Sequence, residues 1–219
     1  KWNFKIMKIK NYVNIAIAII FVSCGKNKES NTLDSSDAPM TAKVGVYSVL
    51  ADSSELRWVG KKISNKKHMG TIKLKNGIVE VKENNQISGE IKIDMTTINV
   101  TDLQGGAKKS LERHLSNEDF FDVQKFSEAS FVFKSEPQNQ PMSKIKFEGV
   151  LTIKGISNPL SFDAIIQKTY PRLKANASLS FDRSLYDVRY GSGTFFENLG
   201  DDLILDDIDI NMSLVMKNE

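Results

Sequence analysis

Beyond Val44, hydrophobic and polar residues alternate one by one along most of the chain. Ile145, Phe147, Gly149, Leu151 and Ile153 share one parity; Lys144, Lys146, Glu148, Thr152 and Lys154 hold the other, with Val150 the exception. The same period of two runs through Ile87–Met95, Leu160–Ile166, Leu173–Phe181 and Ile208–Met216. Such alternation predicts antiparallel strands with one apolar and one wet face. Shorter strands are expected at Val44–Leu50, Leu56–Lys61, Thr71–Lys75, Ile78–Lys82 and Ala129–Lys134. Asn76-Gly77 reads as a hairpin turn, Asn84-Asn85 as a second, and Gly155 with Asn158-Pro159 bounds a third. With no βαβ rhythm, the pattern is that of a closed barrel or a sandwich.

One segment departs from it. In Gly105–Asp122, Ala107, Leu111 and Leu115 recur every four residues, which predicts a short helix. Ser116 followed by Asp119 resembles an N-cap pair for a further turn. Phe120-Phe121 would pin this excursion over one barrel end. Several inward positions are small: Gly89, Gly149, Ala164, Ala175 and Ala177. They either accommodate taper, bulges and nearby aromatic rings or line a cavity, since small barrels can enclose one ligand.

The start of the chain is of another kind. Lys1, Lys5, Lys8 and Lys10 precede an apolar run, Ile15–Val22, closed by Ser23 and followed by Cys24, the single cysteine. A basic start, a short apolar stretch and a small residue at the cut describe a secretory leader, Met7–Ser23, with Lys1–Phe4 upstream of the true start. The run is about half the ~20 residues a spanning helix needs. Cysteine directly after the cut looks like a bacterial lipoprotein signal, with Cys24 acylated and residues 24–43 a polar tether. The chain has 30 Lys+Arg against 27 Asp+Glu. Residues 1–23 hold 4 lysines and no acid, which leaves 26 against 27 in the remainder. No basic field remains to attract nucleic acid.

Two blocks carry a resemblance. His114-Leu115-Ser116-Asn117-Glu118-Asp119-Phe120-Phe121-Asp122-Val123, with Lys125-Phe126 and Ala129-Ser130-Phe131, is the first. Gly149-Val150-Leu151-Thr152-Ile153-Lys154-Gly155 with Asn158-Pro159-Leu160 is the second. Together with His68-Met69-Gly70 and Arg183-Ser184 before a Tyr-Asp pair, they resemble the YceI-like, polyisoprenoid-binding family over Val46–Lys217. Phe126-Ser127 lacks the family's usual proline, and Tyr190–Leu203 is insertion-like.

The resemblance implies an all-β, eight-stranded, antiparallel, lipocalin-like barrel over residues 44–219, with a short helical excursion between strands. It also implies a lumen holding a long isoprenoid chain (quinone or polyprenyl) in a lipid-anchored envelope protein. Gly25 after Cys24 leans towards the outer membrane, facing the periplasm. By inward parity and bulk, the expected tail contacts are Trp58, Ile91, Ile93, Met95, Phe120, Phe121, Phe131, Phe133, Phe147, Leu151, Phe162 and Phe181. Arg183, Tyr186 and Arg189 are expected near the mouth, where a headgroup would end, or in a plain surface turn.

Catalytic chemistry finds little support. A zinc site needs three or four converging ligands, and His68 and His114 are the two histidines. Gly191-Ser192-Gly193 is too short for a nucleophile elbow. Asp201-Asp202 with Asp206, Asp207 and Asp209 lacks calcium-loop spacing and reads as a solvated turn. A carrier of isoprenoid lipid is therefore set against an enzyme acting on such lipids, a packed structural lipoprotein and a transmembrane barrel.

Overall fold

The structure, a computed structural model, describes residues 42–139, 143–169 and 171–219. The leader, Cys24 and most of the tether expected from the sequence lie outside them. Nine strand segments follow in order: β1 (Gly45–Val49), β2 (Glu55–Lys61), β3 (Lys67–Val81), β4 (Ile87–Val100), β5 (Glu128–Ser135), β6 (Lys144–Ile153), β7 (Ile156–Thr169), β8 (Arg172–Asp182) and β9 (Asp207–Asn218). A helix, α1 (Gly105–Ser116), lies between β4 and β5. Every pairing is antiparallel. β1 and β2 both pair with β3 on one side and β9 on the other, one behind the other. They form a single stave, broken at the 3-10 turn Ala51–Ser53. Ser54 Oγ holds the break, donating to the Leu50 carbonyl at 2.8 Å and accepting from Val215 N–H at 2.9 Å. Eight staves thus close the barrel.

In an up-and-down barrel alternate connections share an end. The β2–β3 turn, the helical excursion, the β6–β7 hairpin and the β8–β9 loop gather at one end, the mouth. The β3–β4 hairpin, Ala42 and Asn218 gather at the other, the base. Buried side chains fall into two groups along this axis. Tyr47, Val79, Val81, Phe147, Leu173, Leu214 and Met216 fill the base, with Ala42 packed against them. Met95, Val100, Leu115, Phe120, Val123, Tyr186 and Val188 support the mouth.

Local features differ from the sequence reading in three places. Asn76-Gly77 is not a turn: β3 runs straight through it, and the ladder with β4 slips by one residue between Leu74 and Asn76. Neither residue has the positive φ that a two-residue hairpin of the favoured type requires. Glycine is needed because a Cβ there would lie 2.8 Å from the Val49 side chain. The β6–β7 turn is Lys154-Gly155, with φ of 50° and 72°, and Asn158-Pro159 lies inside β7 opposite Leu151 and Val150. Proline is tolerated because β7 meets β8 only over Ala164–Thr169. The mouthward half of β7 therefore has one edge without a strand partner. Third, Ser116 is no N-cap. It closes α1, its hydroxyl donating back to the Glu112 carbonyl at 2.8 Å.

The helix itself forms where the four-residue spacing places it, with Leu111 and Leu115 turned inward and Ala107 exposed. Leu115 is buried, and the Glu112 carboxylate accepts from Val100 N–H at 2.9 Å, which ties α1 to the end of β4.

Candidate ligand cavity

Inward-facing residues of the mouthward half do not fill the lumen. They surround a cavity of about 340 Å³, a volume at which proteins commonly hold small ligands. Trp58 of β2, Ile91, Ile93 and Met95 of β4, Phe131 of β5 and Leu151 of β6 line it. So do Phe162 of β7 and Phe181 of β8, with Phe120 and Phe121 from the excursion. Trp58 is fixed at its polar end, where Nε1 donates to the Thr71 carbonyl at 3.3 Å. Its ring lies over Gly70, where a Cβ would come within 2.5 Å.

Phe133 and Phe147 do not reach this cavity. They border a separate void of about 40 Å³ in the base, where their rings meet edge to face at 5.4 Å. Phe131, Phe162, Ile91 and Met212 border both spaces and form the floor between them. Gly89 and Gly149 also belong to the packed region. A Cβ on Gly149 would lie 2.8 Å from the Phe131 ring, and one on Gly89 would lie 3.0 Å from Phe133. Ala164 and Ala175 border the small void. The small residues that open the larger space are instead Gly60 and Ala129.

The three residues expected near the mouth lie in the β8–β9 loop at that end, and none of them lines the cavity. Arg183 is fully buried. Its guanidinium donates to the carbonyls of Val188, Tyr190, Ile204 and Leu205 and lies 3.2 Å from Asp206. Burial pushes it below the ordinary arginine range, opposed by Asp206 and Asp182. It is the hub of the β8–β9 loop, and Asp206 also accepts the Ser192 and Thr194 hydroxyls at 2.8 Å each. Tyr186 is buried against Phe181, ring centroids 5.8 Å apart, and burial raises its phenol. Arg189 pairs with Asp187 and covers Phe195 on the outer side of the loop.

The polar residues that line the cavity are Lys61, Lys62, Lys66, His68 and His114, although Lys61 has the outward parity and its ammonium pairs with Asp209. Lys62 and Lys66 face each other across the β2–β3 turn, Lys62 N–H donating to the Lys66 carbonyl at 2.8 Å, and Gly60 sits opposite His68. Lys62, Lys66 and His68 continue the inward parity of Trp58 and Gly60 on β2 and of Gly70 and Ile72 on β3. That continuation, on a turn that shares an end with the helical excursion, was the available sequence signal. His68 Nδ1 is 2.8 Å from Asp102, whose other oxygen accepts Met69 N–H at 3.0 Å. Partial burial works against the Asp102 carboxylate, yet these bonds hold its pKa below the usual range. His114 is wedged between Tyr190 and Phe120, at centroid distances of 4.3 and 5.4 Å, and its Nε2 is buried without a hydrogen-bond partner. Among the described residues, no three His, Cys, Asp or Glu side chains converge as a metal site would require.

A closed antiparallel barrel with an apolar lumen and one polar rim defines the lipocalin-like class. A YceI-like domain model matches residues 47–216, and the chain belongs to that family. Among solved structures it is similar to BcnA of Burkholderia cenocepacia, at 22% identity over 76% of this chain and 98% of that one, TM-score 0.62. It is also similar to a polyisoprenoid binding domain of Saccharophagus degradans implicated in plant cell wall breakdown. There the identity is 14% over 81% of this chain and 100% of that one, TM-score 0.58. At these identities the likeness is one of fold. No curated protein matches the chain.

Proposed function

We propose that this protein binds and carries, or sequesters, a long isoprenoid or similar amphiphilic lipid, without catalysis, while tethered to the bacterial envelope through acylated Cys24. The outer membrane, periplasmic face, is the expected location. The observation that carries the reading is the hollow mouthward half: an apolar space of about 340 Å³ opening at one polar rim. Each CH₂ transferred from water into such a space contributes about 0.8 kcal/mol. A multi-isoprene tail is thus held mainly by exclusion from water. Family membership and the polyisoprenoid binding domain of the same fold support the choice of ligand.

A packed structural barrel is disfavoured by the open lumen. An enzyme is disfavoured by a lining that holds no carboxylate, hydroxyl or thiol to act as acid, base or nucleophile beside the lysines and histidines. Native mass spectrometry of the intact chain, followed by lipid extraction, tests the proposal. One isoprenoid lipid per chain is expected. A chain that is consistently bare and takes up no added prenyl lipid overturns it.

A further inference from the structure

One seam of the barrel stops short. β7 and β8 are laddered from Thr169 and Arg172 up to Ala164 and Ala177, and no rung follows towards the mouth. On their other sides both strands go on pairing, β7 with β6 as far as Ile156 and β8 with β9 as far as Asp182. The gap is clasped again at the top, where Asn158 Nδ2 donates to the Leu185 carbonyl at 2.9 Å. Between that clasp and the Ala164 rung lies a window in the cavity wall, framed by Pro159–Asp163 on β7 and Ser178–Asp182 on β8.

Burial changes where the rungs end. The inward residues of the laddered part, Ala164, Ile166, Leu173, Ala175 and Ala177, are all buried. The next inward residues on the same strands, Leu160, Phe162, Leu179 and Phe181, line the cavity and are partly exposed. Lining the cavity is not by itself the reason. Phe131 and Leu151, opposite each other on the laddered β5 and β6, line it too and are buried. Three outward positions of the frame hold small side chains, Ser161, Ser178 and Ser180. The hydroxyls of Ser178 and Ser180 turn to β9, donating to Asn211 Oδ1 at 2.7 Å and to the Ile208 carbonyl at 3.2 Å. A bare strand edge can also recruit a strand of another chain. Pro159, with no N–H to give, and the Asp163 carboxylate, paired with Lys144 at 2.9 Å, stand against that use.

We infer that the window is a side entrance, through which the hydrocarbon tail of the ligand passes between lumen and exterior. This rests on the lipid-carrier reading of the same cavity. Phe131 and Phe162 close the floor, so the mouth and the window are the ways out. Where the wall is laddered, a sideways passage would break backbone hydrogen bonds, which are costly to leave unmade. At the window there is no rung to break. What must move is the side chains of Leu160, Phe162, Leu179 and Phe181, and side-chain rotation is fast beside the local unfolding that strand separation needs. A tail crossing there slides along apolar groups, whereas lifting out whole would expose all of it to water.

The test bridges the window in the full chain with Cys24→Ser, which removes the single native thiol. Ser161→Cys and Ser180→Cys stand on the two outward edges and are joined by oxidation, or by a bismaleimide where oxidation is incomplete. Val132→Cys with Val150→Cys, opposite each other on β5 and β6, is the control bridge. The probe is geranylgeraniol carrying a fluorescent anthraniloyl group, with uptake and release followed by stopped flow. Bridging the window is expected to slow both uptake and release by roughly tenfold or more, with Kd within about twofold of the unbridged chain. Cleaving the disulfide restores the rates, and the control bridge leaves them unchanged. Asn158→Ala introduces no bridge and loosens the clasp, so it should raise both rates several-fold. Rates that stay the same in both the bridged chain and Asn158→Ala overturn the inference, because the tail then passes by the mouth alone and the carrier reading stands. Equal slowing by the control bridge also overturns it, since general stiffness would be the cause. A wild-type chain that binds no probe overturns the carrier reading itself.

Discussion

The two halves of the barrel use the same alternation of residues to opposite ends. In the base, Phe133, Phe147, Val79, Leu173 and Met216 close on one another and leave about 40 Å³. In the mouthward half, Ile93, Met95, Ala129, Leu151 and Phe181 leave about 340 Å³. An eight-strand barrel is just wide enough either to be filled by its own side chains or to hold one small ligand. Here one barrel does both, and the Phe131–Phe162 pair, 5.5 Å apart, marks the boundary. Stability and binding are thereby placed at different heights on the same staves, so substitutions should separate them.

The largest expected effects fall on stability. Arg183→Met leaves the carbonyls of Val188, Tyr190 and Ile204 and the Asp206 carboxylate without their donor, a loss of about 3–5 kcal/mol. Chemical denaturation measures it. A variant as stable as wild type, with headgroup selectivity lost, would return Arg183 to the ligand site. Phe147→Ala in the base should also cost about 3–5 kcal/mol and leave the affinity for a prenyl probe within twofold; a matching collapse of affinity would show that the halves are not separable.

The converse substitution is Ala129→Phe, which puts a ring into the cavity. Probe affinity should fall at least tenfold, about 1.4 kcal/mol, with a stability change of about 1 kcal/mol or less because the ring enters empty space. Titration with a fluorescent prenyl analogue reads the first and thermal unfolding the second.

The smallest effect concerns the rim. Asp102 has a folded pKa below its unfolded value near 3.9. Its contribution is therefore complete above about pH 4 and is lost as pH falls through the lowered value. Asp102→Asn should cost about 1 kcal/mol at neutral pH, and the gap to wild type should close in acid. A gap that stays constant from neutral pH to pH 2 would mean that the ionised carboxylate contributes nothing.

Much of this was legible in the alternation, and the failures have a common cause. Parity tells which face of a strand a side chain takes but not how high it stands along the barrel axis. Phe133 and Phe147 share inward parity with Phe131 and Leu151 and differ only in height. Gly89 and Gly149 left two readings open, a cavity or room for neighbouring rings, and it is phenyl rings that occupy the space they leave. Arg183 looked like a surface cation because burial of a guanidinium by backbone carbonyls leaves no periodic trace. Asn76-Gly77 carried a turn signal that the continuous β3–β4 ladder overrode. The rim lysines passed unnoticed as turn residues, although their parity and their turn's place at the helical end were both readable.

The register of β1 has a consequence for where the chain enters the barrel. Gly45 pairs with Val81 and Tyr47 with Asn218, and Tyr47 Oη donates to the Lys43 carbonyl at 2.8 Å. Whatever precedes Ala42 thus joins the cup underneath, at the point farthest from its opening. The first described residues therefore meet the barrel at its filled end, and the opening is left to the turns of the opposite rim.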